Sequence, residues 1–116
     1  GLLAENPDHP TAIFMHHPAV LIGSGWLDPI CLLELERFQQ LVKDSPQVKL
    51  VSAGHVHQES SVMIGSVPAY TLPAASVQFA VGTDEFAIGA ESPGYRLFDL
   101  EDDGSFTTQV VRVPVP

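Results

Sequence analysis

Histidines that could bind metal occur at two places in the chain, in residues 14–18 (FMHHP) and 54–57 (GHVH). In an extended segment, residues two apart share a face, so His55 and His57 can reach one site or two adjacent metals. Imidazole nitrogen suits zinc, iron and manganese, and carboxylates could complete the set of ligands. His16, His55 and His57 are therefore the candidate metal ligands.

Two predicted strands bring these histidines together. Residues 11–15 and 48–53 are short apolar runs, which are typical of buried parallel strands. A helix between them completes a βαβ unit, whose strands are parallel and whose crossover is right-handed. His16 and His55 then lie at the carboxyl ends of neighbouring strands, the edge where open α/β sheets place ligands.

The connecting helix is predicted from Asp28 to about Asp44. Asp28 can cap the free amides, Pro29 suits the first helical position, and Ser45-Pro46 ends the helix. One apolar stripe follows at helical spacing, formed by Cys31, Leu35, Phe38 and Val42. Cys31 is therefore expected in the core.

Short β segments are predicted after the second histidine pair. Residues 61–64 and 67–72 flank Gly65-Ser66, which suits a tight hairpin turn. Residues 73–79 are expected to form another edge strand, and 95–100 with 106–113 a final hairpin. The predicted fold class is α/β (α+β), a parallel core followed by antiparallel strands.

Composition excludes several classes of function. The formal net charge of -9 argues against binding to nucleic-acid polymers or anionic membranes, although a bound metal could attract a phosphate ester locally. The single cysteine rules out an intrachain disulfide and a thiolate zinc cluster. We found no signal peptide or spanning segment, and we expect a cytoplasmic location. Because the chain begins with Gly1, we also expect that an upstream portion is absent.

The motifs His16-x-Pro18 and Gly54-His55-Val56-His57 resemble the late motifs of the calcineurin-like metallophosphoesterase family. Within that family the chain is most similar to bacterial class III cyclic-nucleotide phosphodiesterases and related glycerophosphodiesterases. The resemblance also covers residues 13–18, 26–29, 46–48, 54–59, 76–79 and 92–96. It implies a four-layer α/β/β/α sandwich, with residues 1–116 as the carboxyl-terminal portion of the domain.

The resemblance also implies roles for individual histidines. His16 and His55 would bind the second of two metal ions, and His57 would bind the first and lie beside the substrate phosphate. His17 would have a weaker, pocket-wall role in substrate binding. The cofactors would be two divalent or mixed-valence ions of iron, manganese or zinc.

The family's early motifs, Asp-x-His, Gly-Asp and Gly-Asn-His, do not occur in these residues. They would supply the remaining ligands and the general acid, so no catalytic residue is assigned in this chain. Local departures from the family pattern, at Ala19, Leu33-Glu34 and residues 73–76, could change substrate choice without altering the metal ligands.

Several functions remain open on this reading. The first is metal-dependent hydrolysis of a small phosphodiester by the parent enzyme, most readily a cyclic nucleotide such as cAMP, with a glycerophosphodiester as the alternative. The chain alone would be inactive. The second is a non-catalytic module that binds metal or dimerises, and the third is an α/β domain whose histidines are structural. Half a sandwich should expose apolar surface, so self-association or a homo-oligomer is expected.

Overall fold

A computed structural model describes all residues of the chain, Gly1–Pro116. Its elements, in chain order, are α1 (Leu2–Glu5), β1 (Thr11–Met15), a 3-10 turn (Asp28–Ile30), α2 (Leu35–Lys43), β2 (Val48–Ala53), β3 (Ser60–Ile64), β4 (Val67–Thr71), β5 (Gly94–Leu100) and β6 (Phe106–Arg112). Both α-helices are far too short to cross a bilayer, so the chain contains no candidate membrane-spanning helix.

The first four strands form one sheet in the order β1-β2-β4-β3. β2 is paired in parallel with β1 on one side and with β4 on the other, while β3 and β4 form an antiparallel hairpin. β5 and β6 form a separate antiparallel pair. The mixed α/β class and the βαβ unit are confirmed, and the arrangement is that of half an α/β sandwich.

The two faces of the larger sheet have different partners. On one face, Val51 of β2 and Ala69 of β4 join a buried cluster that includes Val42 of α2. This cluster is apolar throughout, as expected for strands that bury one row of side chains beneath a helix.

The other face holds an aromatic row that supports the second sheet. Phe14, Ser52 and Tyr70 are aligned across β1, β2 and β4. The ring of Phe98 on β5 contacts Phe14 and Tyr70 edge to face, with centroids 5.6 and 5.7 Å apart. The β5–β6 pair is therefore attached to the larger sheet through aromatic contacts.

The connecting helix begins later than predicted. Asp28 lies in a 3-10 turn, and α2 starts only at Leu35, after Glu34 has adopted a left-handed φ of 56°. The Asp28 carboxylate accepts hydrogen bonds from the backbone N–H groups of Ile22 and Gly23, so it holds the preceding loop and does not cap a helix. Cys31 consequently lies before α2 and is only half-buried, so its predicted place on the helical stripe is wrong.

The predicted hairpins are confirmed, but the edge strand at 73–79 is wrong. Gly65 makes the first turn with a φ of +62°. Residues 73–79 form an irregular loop whose only ladder contact is an isolated bridge between Phe79 and Ile88. This loop is organised by side-chain hydrogen bonds, chiefly those of Gln78.

Candidate metal centre

His16 and His55 meet at the carboxyl-terminal edge of the larger sheet. His16 directly follows Met15, the last residue of β1, and only Gly54 separates His55 from Ala53, the last residue of β2. The register pairs Met15 with Ala53. His16 Nε2 and His55 Nδ1 are 3.0 Å apart, although 39 residues separate them in sequence. The parallel pairing of β1 and β2 produces this contact.

His17 joins the same group. Its ring centroid lies 5.0 Å from that of His16 and 4.6 Å from that of His55. One nitrogen from each of His16, His17 and His55 lies within 4.8 Å of the other two. The prediction gave His17 only a weak role at the pocket wall, whereas its ring stands as close to His55 as that of His16.

The donor set fits a metal ion. In a tetrahedral zinc site with bonds of about 2.0–2.1 Å, two nitrogens lie about 3.3 Å apart. The three nitrogens here lie within 4.8 Å of one another, so rotation of the rings would have to shorten the longest separation before one ion could bind all three. His55 Nε2 is buried and has no hydrogen-bond partner. A buried polar atom without a partner is costly unless something else binds it, which is consistent with a ligand-binding role.

The backbone at residues 54–57 is not extended, so the premise that His55 and His57 share a face is wrong. His55 has a φ of 68°, and Val56 N–H donates to the Gly54 carbonyl over 2.8 Å, the pattern of a strained γ-turn. His57 is also left-handed, with a φ of 50°. The two rings therefore leave the chain toward different neighbours.

His57 lies outside the three-histidine group and is held by the loop at 73–79. Its ring stacks on Phe79 with a centroid distance of 4.2 Å and an interplanar angle of 4°. His57 Nδ1 lies 2.9 Å from the carbonyl oxygen of Val77. A carbonyl can only accept, so Nδ1 carries a proton, and in the neutral ring Nε2 keeps its lone pair. The assignment of His57 to a different metal ion stays a prediction.

The other three histidines of the site act on His55 electrostatically. The pKa of His55 is lowered from its ordinary value of 6.5, first by burial and then by the neighbouring charges of His17, His16 and His57. Metal ions bind the neutral imidazole, so this environment keeps His55 in the form that binds.

Sequence reasoning missed the support for this centre. Trp26 and Phe86 pack edge to face against Phe79 at centroid distances of 5.0 and 5.5 Å, and they enclose the ring on which His57 stacks. Gln78 was placed on an edge strand, yet it is buried within the loop that holds His57. The hydrophobic pattern gave no sign of this role, because a polar residue between Val77 and Phe79 resembles an ordinary strand position, although residues 76–79 lie within the family resemblance.

Comparison with known proteins shows that most of the chain is similar to the sequences of bacterial proteins named as cyclic-nucleotide phosphodiesterases. No protein-family model matches it. It is 40% identical over 111 residues to the 3',5'-cyclic adenosine monophosphate phosphodiesterase CpdA of Vibrio vulnificus, covering 96% of this chain and 40% of that protein. It is also 40% identical over 108 residues to a 3',5'-cyclic-nucleotide phosphodiesterase of Nostoc sp., covering 93% and 41% respectively. Identity to CpdA of Escherichia coli K12 is 31% over 111 residues.

The resemblance inferred from the histidine motifs is thereby confirmed. The chain is a homologue of bacterial 3',5'-cyclic-nucleotide phosphodiesterases, which are calcineurin-like metallophosphoesterases. It spans about two fifths of the length of these relatives.

Proposed function

We propose that this chain is the carboxyl-terminal part of a metal-dependent phosphodiesterase whose substrate is a cyclic nucleotide such as cAMP. The observation that carries the proposal is the meeting of His16 and His55, with His17 beside them, at the carboxyl ends of two parallel strands. The names of the relatives supply the reaction class and the substrate class.

In this proposal each histidine has its own task. His16 and His55 would hold one ion of iron, manganese or zinc, and Nε2 of His57 would hold the other ion beside the substrate phosphate. His17 would line the pocket or add a further nitrogen to the ion that His16 and His55 hold. The two ions, when bound, supply the positive charge that stabilises the phosphoryl oxygens during attack. A chain of net charge -9 needs such local charge to bind an anionic ester.

Metal analysis tests the shared centre. We expect His55→Ala and His57→Ala each to reduce the bound metal, measured per protein after gel filtration. His9→Ala is the matched control, since His9 is an exposed histidine whose Nδ1 contacts Asn6 far from the centre. Unchanged metal content in both site variants would refute the proposed centre.

Substrate choice is tested in the full-length protein. We expect hydrolysis of 3',5'-cAMP with a higher kcat/KM than that of a glycerophosphodiester, and loss of both activities on metal removal. This chain alone should hydrolyse neither ester, because its three-histidine group supplies only part of a two-metal ligand set. A higher kcat/KM for the glycerophosphodiester would favour the alternative substrate.

A second candidate function is a metal-binding module that assembles without turnover. Its specific support is exposed apolar surface, including Phe14 at 58%, Phe86 and Leu97. We propose that this surface drives self-association, which sedimentation of the chain at increasing concentration measures.

A cytoplasmic location also stays a prediction.

A further inference from the structure

Gln78 lies between the two residues that hold the ring of His57. Val77 on one side accepts the Nδ1 hydrogen bond of His57, and Phe79 on the other side stacks on its ring. The backbone N–H of Phe79 also donates to the carbonyl of His57, over 3.2 Å. Any change in the path of this loop must therefore move both restraints on the imidazole.

The side-chain amide of Gln78 is 2% exposed and has no hydrogen-bonding capacity left over. Its oxygen accepts from the backbone N–H of Ala74 and from Arg112 Nη1, at 3.0 and 3.2 Å. Its nitrogen donates to the carbonyls of Ala74 and Ser76, both at 2.8 Å. An amide has two donors and two acceptor lone pairs, so all four are used.

Arg112 anchors this amide to the rest of the fold. Its guanidinium also donates to the carbonyl of Ser92 and to Glu59 Oε1, at 2.9 and 3.1 Å. Glu59 follows His57 by two residues, so the network from Gln78 through Arg112 to Glu59 returns to the neighbourhood of His57. Arg112 on β6 thereby restrains the loop that contains Gln78.

We propose that Gln78 is the positioning residue of His57: its saturated amide fixes the Val77 carbonyl and the Phe79 ring, which set the orientation and the Nδ1–H tautomer of the imidazole. In the neutral ring, Nε2 then carries no proton, and the loop sets the direction of its lone pair. The proposed function gives that lone pair its task as a metal ligand, but the positioning itself depends only on this chain.

The tautomer of His57 tests the proposal in protein stripped of metal. Long-range 1H–15N correlation spectra, recorded where the histidines are neutral, report which ring nitrogen carries the proton. We expect His57 to be protonated at Nδ1 in the protein without substitutions. In Gln78→Met, that population should fall about twofold or more, because an unrestrained imidazole populates both tautomers.

Two further variants keep the test decisive. Gln78→Glu retains the size and the Arg112 contact but cannot donate to the carbonyls of Ala74 and Ser76, so it should shift the tautomer even if Gln78→Met folds poorly. Gln47→Met is the control, because Gln47 is a comparably buried amide that bonds the Leu3 carbonyl at 2.8 Å, away from His57. It should leave His57 protonated at Nδ1.

An unshifted His57 in a folded Gln78→Met or Gln78→Glu variant would overturn the proposal, as would an equal shift in Gln47→Met. Failure of the proposed function is a separate result. A full-length protein that hydrolyses no phosphodiester would refute the proposed enzymatic function, and the expected tautomer shift in the Gln78 variants would still support the positioning role.

Discussion

The left-handed backbone at His55 should make glycine more stable than alanine at this position. A residue with a Cβ in this conformation is destabilised by about 1–2 kcal/mol, whereas glycine adopts it freely. His55→Gly and His55→Ala both remove the imidazole, so its ring contacts and its buried Nε2 cancel in the comparison. Some of the difference is offset by the greater backbone freedom of glycine in the unfolded chain. We expect His55→Gly to be more stable than His55→Ala by about 1 kcal/mol.

Urea unfolding of the two variants in the presence of a chelator measures this difference. With a slope of about 1–3 kcal/mol/M, it corresponds to a midpoint higher by roughly 0.3–1 M for the glycine variant. His16 supplies the matched control, because it has no positive φ. There the order should reverse, with glycine less stable than alanine by about 0.4–1 kcal/mol, because glycine loses more backbone freedom on folding. If His55→Ala equals or exceeds His55→Gly in stability, the inferred strain at the centre is refuted.

Other predictions concern pH, the core and the second sheet. The folded-state pKa of His55 lies below 6.5, so the unfolded state binds more protons than the folded state in this pH range. The stability of the metal-free protein, measured by urea unfolding, should therefore fall as the pH drops from above 6.5 toward the folded pKa. The dependence on pH should be weaker in His55→Ala. Leu50→Ala removes a fully buried side chain and should cost about 2–5 kcal/mol in urea, against under about 0.5 for exposed Leu33→Ala. Gly94→Ala would place a Cβ 2.7 Å from the Val111 carbonyl and should lower Tm.

Each of these predictions has a result that contradicts it. An unchanged pH slope in His55→Ala would show that His55 does not titrate differently on folding. Equal costs at Leu50 and Leu33 would contradict the complete burial of Leu50. A Gly94→Ala variant with unchanged Tm would show that β5 and β6 can separate at this position without loss.

The sequence was most informative where local pattern and topology agreed. The apolar runs at Thr11–Met15 and Val48–Ala53 end at histidines, and a βαβ connection forces two such ends to the same edge. The contact between His16 and His55 follows from these two facts. His17 was harder to assign, because adjacent residues on a turn follow no period that would indicate the direction of a ring.

The errors arose where a side chain bonds to a distant or unexpected partner. Asp28-Pro29 looks the same whether its carboxylate caps a helix or, as here, holds the loop at Ile22 and Gly23. Gln78 has its role set by Arg112, 34 residues further along. Hydrophobic periodicity carries no information about such hydrogen bonds, so it predicted a strand where a loop stands.

The separate β5–β6 pair has a consequence for the order in which the chain folds. A lone two-stranded hairpin is marginal in water, so β5 and β6 need the aromatic row of the first sheet before they are stable. His16 and His55 come together with the first sheet, whereas the restraint on His57 waits for Arg112 on β6. We therefore expect the centre to form in two steps, His16 and His55 first and His57 second. His57 should then be the first of these histidines to lose its fixed position in partial unfolding.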